Sequence, residues 1–128
     1  DQIAAVIIEG IPANNGLIMQ DEEYIHFLRK ICTDNGSLLI FDEVITGFRV
    51  GFEGAAAHYG ITPDIVTYGK IIGGGLPVGM YGARAEITKN SSGNWSAREN
   101  KSFSLLPTPC KRSNNGGFSV LTLGSLTK

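Results

Sequence analysis

The chain has 128 residues, of which 42% are hydrophobic and 18% charged, and a formal net charge of −1. That length allows one domain with a modest core, and the near-balance of charge provides no overall field to gather nucleic acid or an anionic membrane. The longest apolar run is far shorter than a bilayer-spanning helix, and Cys32 and Cys110 have neither a second cysteine pair nor a neighbouring His, so neither a metal site nor a disulfide framework is indicated and a reducing cytoplasm is the default.

Taken in order, Ile3 to Ile8 is a continuous apolar run ending at Glu9, followed by Pro12 and Asn14-Asn15-Gly16. This pattern suits a strand buried on both faces and then a loop. Asp21 then opens a helix. Tyr24, Ile25, Phe27, Leu28, Ile31 and Cys32 recur at the spacing of one helical face, Glu22 and Glu23 suit its positive end, and Asn35-Gly36 supplies a left-handed stop. Leu38 to Phe41 is the next buried strand, closed by Asp42.

Residues 46–52 read as a loop, and a small apolar helix around Gly54 to Tyr59 is ended by Gly60 and Pro63. Asp64 to Tyr68 is a third strand, Ile71-Ile72 a short turn, and Val78 to Tyr81 a fourth strand. Strands alternating with helices imply an α/β fold whose mostly parallel sheet is joined by crossovers. Ligands of such sheets gather beyond the carboxyl ends of the strands, the edge to which Glu9, Asp42 and the segment containing Lys70 belong.

The texture changes near Ile87. Residues 1–87 hold eleven acids against five bases, a net of −6, whereas residues 88–128 hold one acid against six bases, a net of +5. Half of the later stretch is Ser, Asn, Gly or Thr, so 88–128 is expected to be an irregular, disordered basic tail. The chain begins at Asp1, directly before an apolar run, and is expected to be a fragment.

Asp42 follows four apolar residues, where an ionised carboxylate calls for a nearby cation. One reading is a partner for a protonated heterocyclic nitrogen, with Val44 on the same side of an extended chain and able to lie against a ring. Another is a structural aspartate that caps the following loop or holds a metal as in a Walker B strand. The strand alone leaves both open. Lys70 stands between Gly69 and Ile71-Ile72-Gly73-Gly74-Gly75, where little charge surrounds it and backbone can approach a ligand. Such surroundings favour a neutral, nucleophilic amine, although most loop lysines are simply solvated. No phosphate-cradling P-loop spacing precedes it, and the triple glycine is not a dinucleotide fingerprint. An acid for a ring nitrogen and an amine for an aldehyde are the two groups that pyridoxal phosphate most needs from a protein. His26, His58, Arg49 and Trp95 are assigned no role.

Asp42-Glu43-Val44-Ile45-Thr46-Gly47-Phe48-Arg49, followed 28 residues after Asp42 by Lys70 within Gly69-Lys70-Ile71-Ile72-Gly73-Gly74-Gly75-Leu76-Pro77-Val78-Gly79, resembles the class III aminotransferase family, and within it the glutamate-1-semialdehyde aminomutases. The likeness spans about residues 3 to 87. It implies part of the large domain of a fold-type I enzyme that depends on pyridoxal 5'-phosphate. By resemblance Lys70 is the catalytic lysine bonded to the cofactor, Asp42 the partner of the pyridine nitrogen and Val44 a ring-packing residue, while Glu9 and Asn14 lie near the cofactor. Gly10 departs from the family pattern, which has proline there, and this bears on the geometry of the Glu9 loop.

The resemblance further implies conversion of glutamate 1-semialdehyde to 5-aminolevulinate by a cytoplasmic parent enzyme that is a homodimer. Its partners would be a small amino-aldehyde or amino-acid substrate, with no metal, nucleic acid or membrane. An ordinary class III aminotransferase, an aminotransferase domain within a synthase and a non-catalytic remnant remain as other readings. The family segments that anchor the cofactor phosphate and stack on its ring have no counterpart here, so this chain alone is expected to be inactive. Residues 88–128 do not continue the family pattern, and a disrupted frame or unrelated sequence is the expected origin.

Overall fold

A computed structural model describes residues 2–84, 86–87 and 118–123. Five strands form one sheet in the order β1-β2-β3-β4-β5, with β1 at Ala5–Ile8, β2 at Leu38–Asp42, β3 at Ile65–Tyr68, β4 at Gly79–Arg84 and β5 at Phe118–Leu123. The first three are parallel, with Ile8 beside Phe41 and Asp42 beside Thr67. Helix α1, Glu22–Asp34, crosses from β1 to β2, and the short helix α2, Gly54–His58, lies between β2 and β3. As the outermost strand among the described residues, β1 has a neighbour on one side only.

The cap of α1 is the expected one: the Asp21 carboxylate accepts the Glu23 N–H at 2.8 Å, and Glu22 and Glu23 occupy the first turn. The helix ends where Asn35 donates from its side chain to the Ile31 carbonyl at 2.8 Å and Gly36 takes φ +67°. Its buried stripe is narrower than the sequence suggests, consisting of Ile25, Leu28 and Cys32, while Tyr24, Phe27 and Ile31 are exposed.

Both helices cover one face of the sheet. Ile25, Leu28 and Cys32 of α1 and Ala55 and Ala56 of α2 meet Leu39 and Phe41, the alternate residues of β2. Burial of a side chain such as Phe41 or Leu39 stabilises the fold by roughly 1.5–3 kcal/mol. The opposite face, to which Ile7, Ile40, Asp42 and Thr67 belong, carries no helix among the described residues, and Ile7 is exposed.

Strand β4 runs antiparallel to β3, with Thr67 beside Tyr81. The ten residues between Tyr68 and Gly79 are too few for a helical crossover, so the chain reverses and pairs beside the strand it has just left. Strand β4 also continues past Tyr81, the end expected from sequence, to Arg84. Within the stretch read from sequence as an irregular tail, Phe118–Leu123 forms β5, antiparallel to β4. Residues 88–117 and 124–128 lie outside the described residues, and with them most of the expected tail.

Candidate active site

Asp42 is the last residue of β2 and is half-buried. Its Oδ1 accepts the Val44 N–H at 2.9 Å and the Thr67 hydroxyl at 3.2 Å. Among the described residues nothing hydrogen-bonds Oδ2. The aspartate therefore does cap its own loop, as the structural reading foresaw, and still keeps one oxygen for another donor.

Lys70 begins a 3-10 turn, Lys70–Gly73, immediately beyond β3. It has φ +46°, a left-handed conformation that costs a non-glycine residue of order 1 kcal/mol. Its side chain is exposed rather than enclosed by apolar groups, a correction to the surroundings expected from sequence. Because Asp42 is the register partner of Thr67, and Lys70 follows three residues later, the acid and the amine leave neighbouring strands at one edge.

Contrary to the extended course expected from sequence, Val44 lies beyond the end of β2, in the turn over residues 44–49. The Val44 N–H bond to Asp42 folds the chain back, and the valine still reaches Lys70's neighbour. A Cβ added to Gly69 would stand 3.2 Å from Val44 Cγ1. Glu9 follows β1 at the same edge and is half-buried. Gly10 is buried against the core, where an added Cβ would stand 2.7 Å from Phe41 Cε1 and 3.2 Å from Ala55 Cβ. Asn14 is exposed in a turn beyond it, and among the described residues no hydrogen bond joins it to Glu9, Asp42 or Lys70. The edge thus gathers Glu9, Asp42, Val44 and Lys70, with Asn14 farther out.

The profile of the Aminotransferase class-III family matches residues 1–97. The chain belongs to this family. It is 61% identical over 85 residues to glutamate-1-semialdehyde 2,1-aminomutase 1 of Lachnoclostridium phytofermentans, covering 66% of this chain and 20% of that protein. To the glutamate-1-semialdehyde 2,1-aminomutase of Bdellovibrio bacteriovorus it is 62% identical over 85 residues, with the same shares covered. Among solved structures, it matches a β-phenylalanine aminotransferase from Variovorax paradoxus at TM-score 0.66 and 39% identity, over 69% of this chain and 20% of that one. It also matches an ω-transaminase from Sphaerobacter thermophilus at TM-score 0.62 and 43% identity, over 66% and 19%. The chain therefore spans about one fifth of the length of these relatives.

Two further carboxylates of this class III aminotransferase chain escaped the sequence reading. Glu43 is 1% exposed. It accepts the Thr46 hydroxyl and the Ala55 N–H on Oε2, the latter at 2.9 Å, and the Ala56 N–H on Oε1 at 2.8 Å. It thereby caps α2 from inside the core, and Gly54, with φ +71°, leaves room for it: a Cβ there would stand 2.5 Å from Oε2. Gly47 has a similar role, since its Cβ would meet the Tyr68 ring at 2.5 Å. Burial first, then Glu43 and Glu53, push the Tyr68 hydroxyl above its ordinary value of 10.0.

Asp64, also 1% exposed, lies at the opposite, amino edge of the sheet. Its Oδ2 accepts the Leu39 N–H at 2.7 Å and Arg29 Nη1 at 2.9 Å, and Arg84 pairs with Oδ1. The usable signal was an acid wedged between Pro63 and an apolar strand, but its partners lie 35 and 20 positions away and nothing local marks them. Arg49 donates from Nε to the Ile45 carbonyl of its own loop at 2.9 Å, and His26 stands 3.7 Å from Glu22, both exposed. Among the described residues, no cluster of three or more His, Cys, Asp or Glu is placed to hold a metal, and no helix is long and apolar enough to cross a membrane.

Proposed function

We propose that this chain carries the cofactor-binding aspartate and lysine of a pyridoxal-phosphate-dependent enzyme, and that the parent is a glutamate-1-semialdehyde 2,1-aminomutase that forms 5-aminolevulinate. The observation that carries the reading is the pairing of Asp42 with Thr67, three residues before Lys70, which brings acid and amine to adjacent strand exits. The residues present fit the cofactor. Asp42 has an oxygen to spare, Lys70 has an exposed amine on a strained backbone, and Gly69 lets Val44 close in beside it. The aminomutase names of relatives 53–62% identical to this chain support the specific reaction.

Pyridoxal phosphate, when bound, supplies an aldehyde for amino groups and an electron-poor ring that stabilises negative charge on the adjacent carbon. The chain's own residues do the rest. Asp42 holds a proton on the ring nitrogen through Oδ2. Lys70 would hold the cofactor and would serve to carry protons to and from the substrate. Val44 would lie beside the ring and Glu9 would border the site, with Asn14 farther out. The substrate is a small amino-aldehyde, and the parent works as a homodimer in the cytoplasm, a setting compatible with Cys32 as a buried free thiol.

Borohydride reduction of the chain mixed with pyridoxal phosphate, followed by peptide mass analysis, tests the site. The expected result is a pyridoxyl group concentrated on Lys70, and equal marking of Lys30 and Lys70 would sink the assignment. Amino transfer between two molecules is the second reading, favoured by the transaminase names of the matching structures. The full-length parent separates the two: formation of 5-aminolevulinate without an added amino donor supports the mutase, and a strict need for a donor supports the transaminase.

A further inference from the structure

The geometry points to Thr67 as a positioning residue that aims Asp42, an inference that rests on the cofactor reading above. Thr67 and Asp42 are register partners in adjacent parallel strands, and both belong to the sheet face away from the helices. Thr67 donates its hydroxyl to Asp42 Oδ1 at 3.2 Å, and the Val44 N–H donates to the same oxygen at 2.9 Å. A carboxylate turns through a broad torsional well when one donor holds it. Two donors, one from its own loop and one from the next strand, fix its plane. The oxygen they leave, Oδ2, becomes the acceptor for a ring N–H.

Thr67 is itself anchored. Its carbonyl accepts the Glu43 N–H at 2.9 Å, and Tyr81 is its partner on the other side. It also lies on the strand that delivers Lys70. The backbone ladder sets the register of the two strands, and among the described residues the Thr67 hydroxyl is the side-chain link that ties the carboxylate's orientation to the strand delivering the amine. A valine at this position would serve the sheet equally well, since both are β-branched. The hydroxyl is what the sheet does not require.

The test compares Thr67→Val, which keeps the shape, with Thr67→Ser, which keeps the hydroxyl. In the chain alone, the Val44 amide resonance reports the carboxylate's hold. It should move in Thr67→Val and return in Thr67→Ser, while the amides of the Asp64 network stay in place as a check on folding. With pyridoxal phosphate labelled at the ring nitrogen, the nitrogen resonance should shift toward the unprotonated form in Thr67→Val. Cofactor affinity should fall about tenfold, the loss expected for a hydrogen bond to a charged group. An unmoved Val44 amide in a folded Thr67→Val, or failure of Thr67→Ser to restore it, overturns the inference. If the unaltered chain takes up no pyridoxal phosphate, the cofactor reading fails instead, and the Val44 amide still decides whether Thr67 aims Asp42.

Discussion

Asp42 and Asp64 stand at opposite ends of neighbouring strands and have opposite lives. Asp64 is 1% exposed, with both oxygens taken by two arginines and a backbone amide. Asp42 is half-buried, and its two donors share one oxygen. A carboxylate whose acceptor sites are filled by its own chain is spent on holding the fold, whereas one with an oxygen left over can meet a ligand. Glu43, next in sequence to Asp42, belongs with Asp64 by this criterion, so adjacency in the chain says little about role.

The sharpest way to break this contrast is to delete each acid in turn. Asp64→Ala strands Arg29 and Arg84 and should cost about 3 kcal/mol in urea unfolding, the low end for a broken buried pair because Arg84 is half exposed. Glu43→Ala uncaps α2 and leaves two amides and a hydroxyl without their acceptor, for about 2 kcal/mol. Asp42→Ala should cost about 1 kcal/mol or less, because the Val44 amide sits at a loop near solvent. Equal losses for Asp42 and Asp64 would erase the distinction between the two edges.

Lys70→Gly sharpens it from the other side. Glycine relieves the left-handed backbone, so stability should rise by about 1 kcal/mol while pyridoxyl marking at this position disappears. A smaller effect concerns Tyr59, whose hydroxyl lies 3.0 Å from the Gly10 carbonyl and 3.2 Å from that of Gln20. Burial is the main cause that raises it above 10.0, with the negative charge of Glu22 acting in the same direction. The folded state then holds its proton more tightly than the unfolded state. The resulting stability is complete below pH 10.0 and is lost as pH climbs through the raised value. Unfolding midpoints followed upward from pH 8 should fall less steeply in Tyr59→Phe, and Tyr68 should contribute in the same sense.

Much of this was legible. The strands at Ile8, Phe41 and Tyr68 follow from apolar runs, and α1 follows from Asp21 and Asn35-Gly36, because runs and caps are local signals. The direction of β4 was not, since a strand's alternation is the same read either way and only the short connection from Tyr68 to Gly79 decides it. Nor was β5, whose six residues are surrounded by Ser, Asn and Gly. At the site, spacing and resemblance singled out Asp42 and Lys70. The extended course expected through Val44 ignored the pull of Asp42 on its amide, and Glu43 looked like any surface acid. Partnerships that form across 12 or more positions leave no periodic trace.

The outer rim of β1 has its own consequence. Among the described residues this strand has a neighbour on one side only, which leaves the backbone from Ala5 to Ile8 open to pairing with another extended segment, and Ile3 and Ile7 beside it are exposed. Concentrated samples should clump through this strand before anything else gives way. A gatekeeper charge in place of Ile3, outside the hydrogen-bonded ladder, is the mildest remedy, and it leaves the opposite end of the strand, where the chemistry is proposed, untouched.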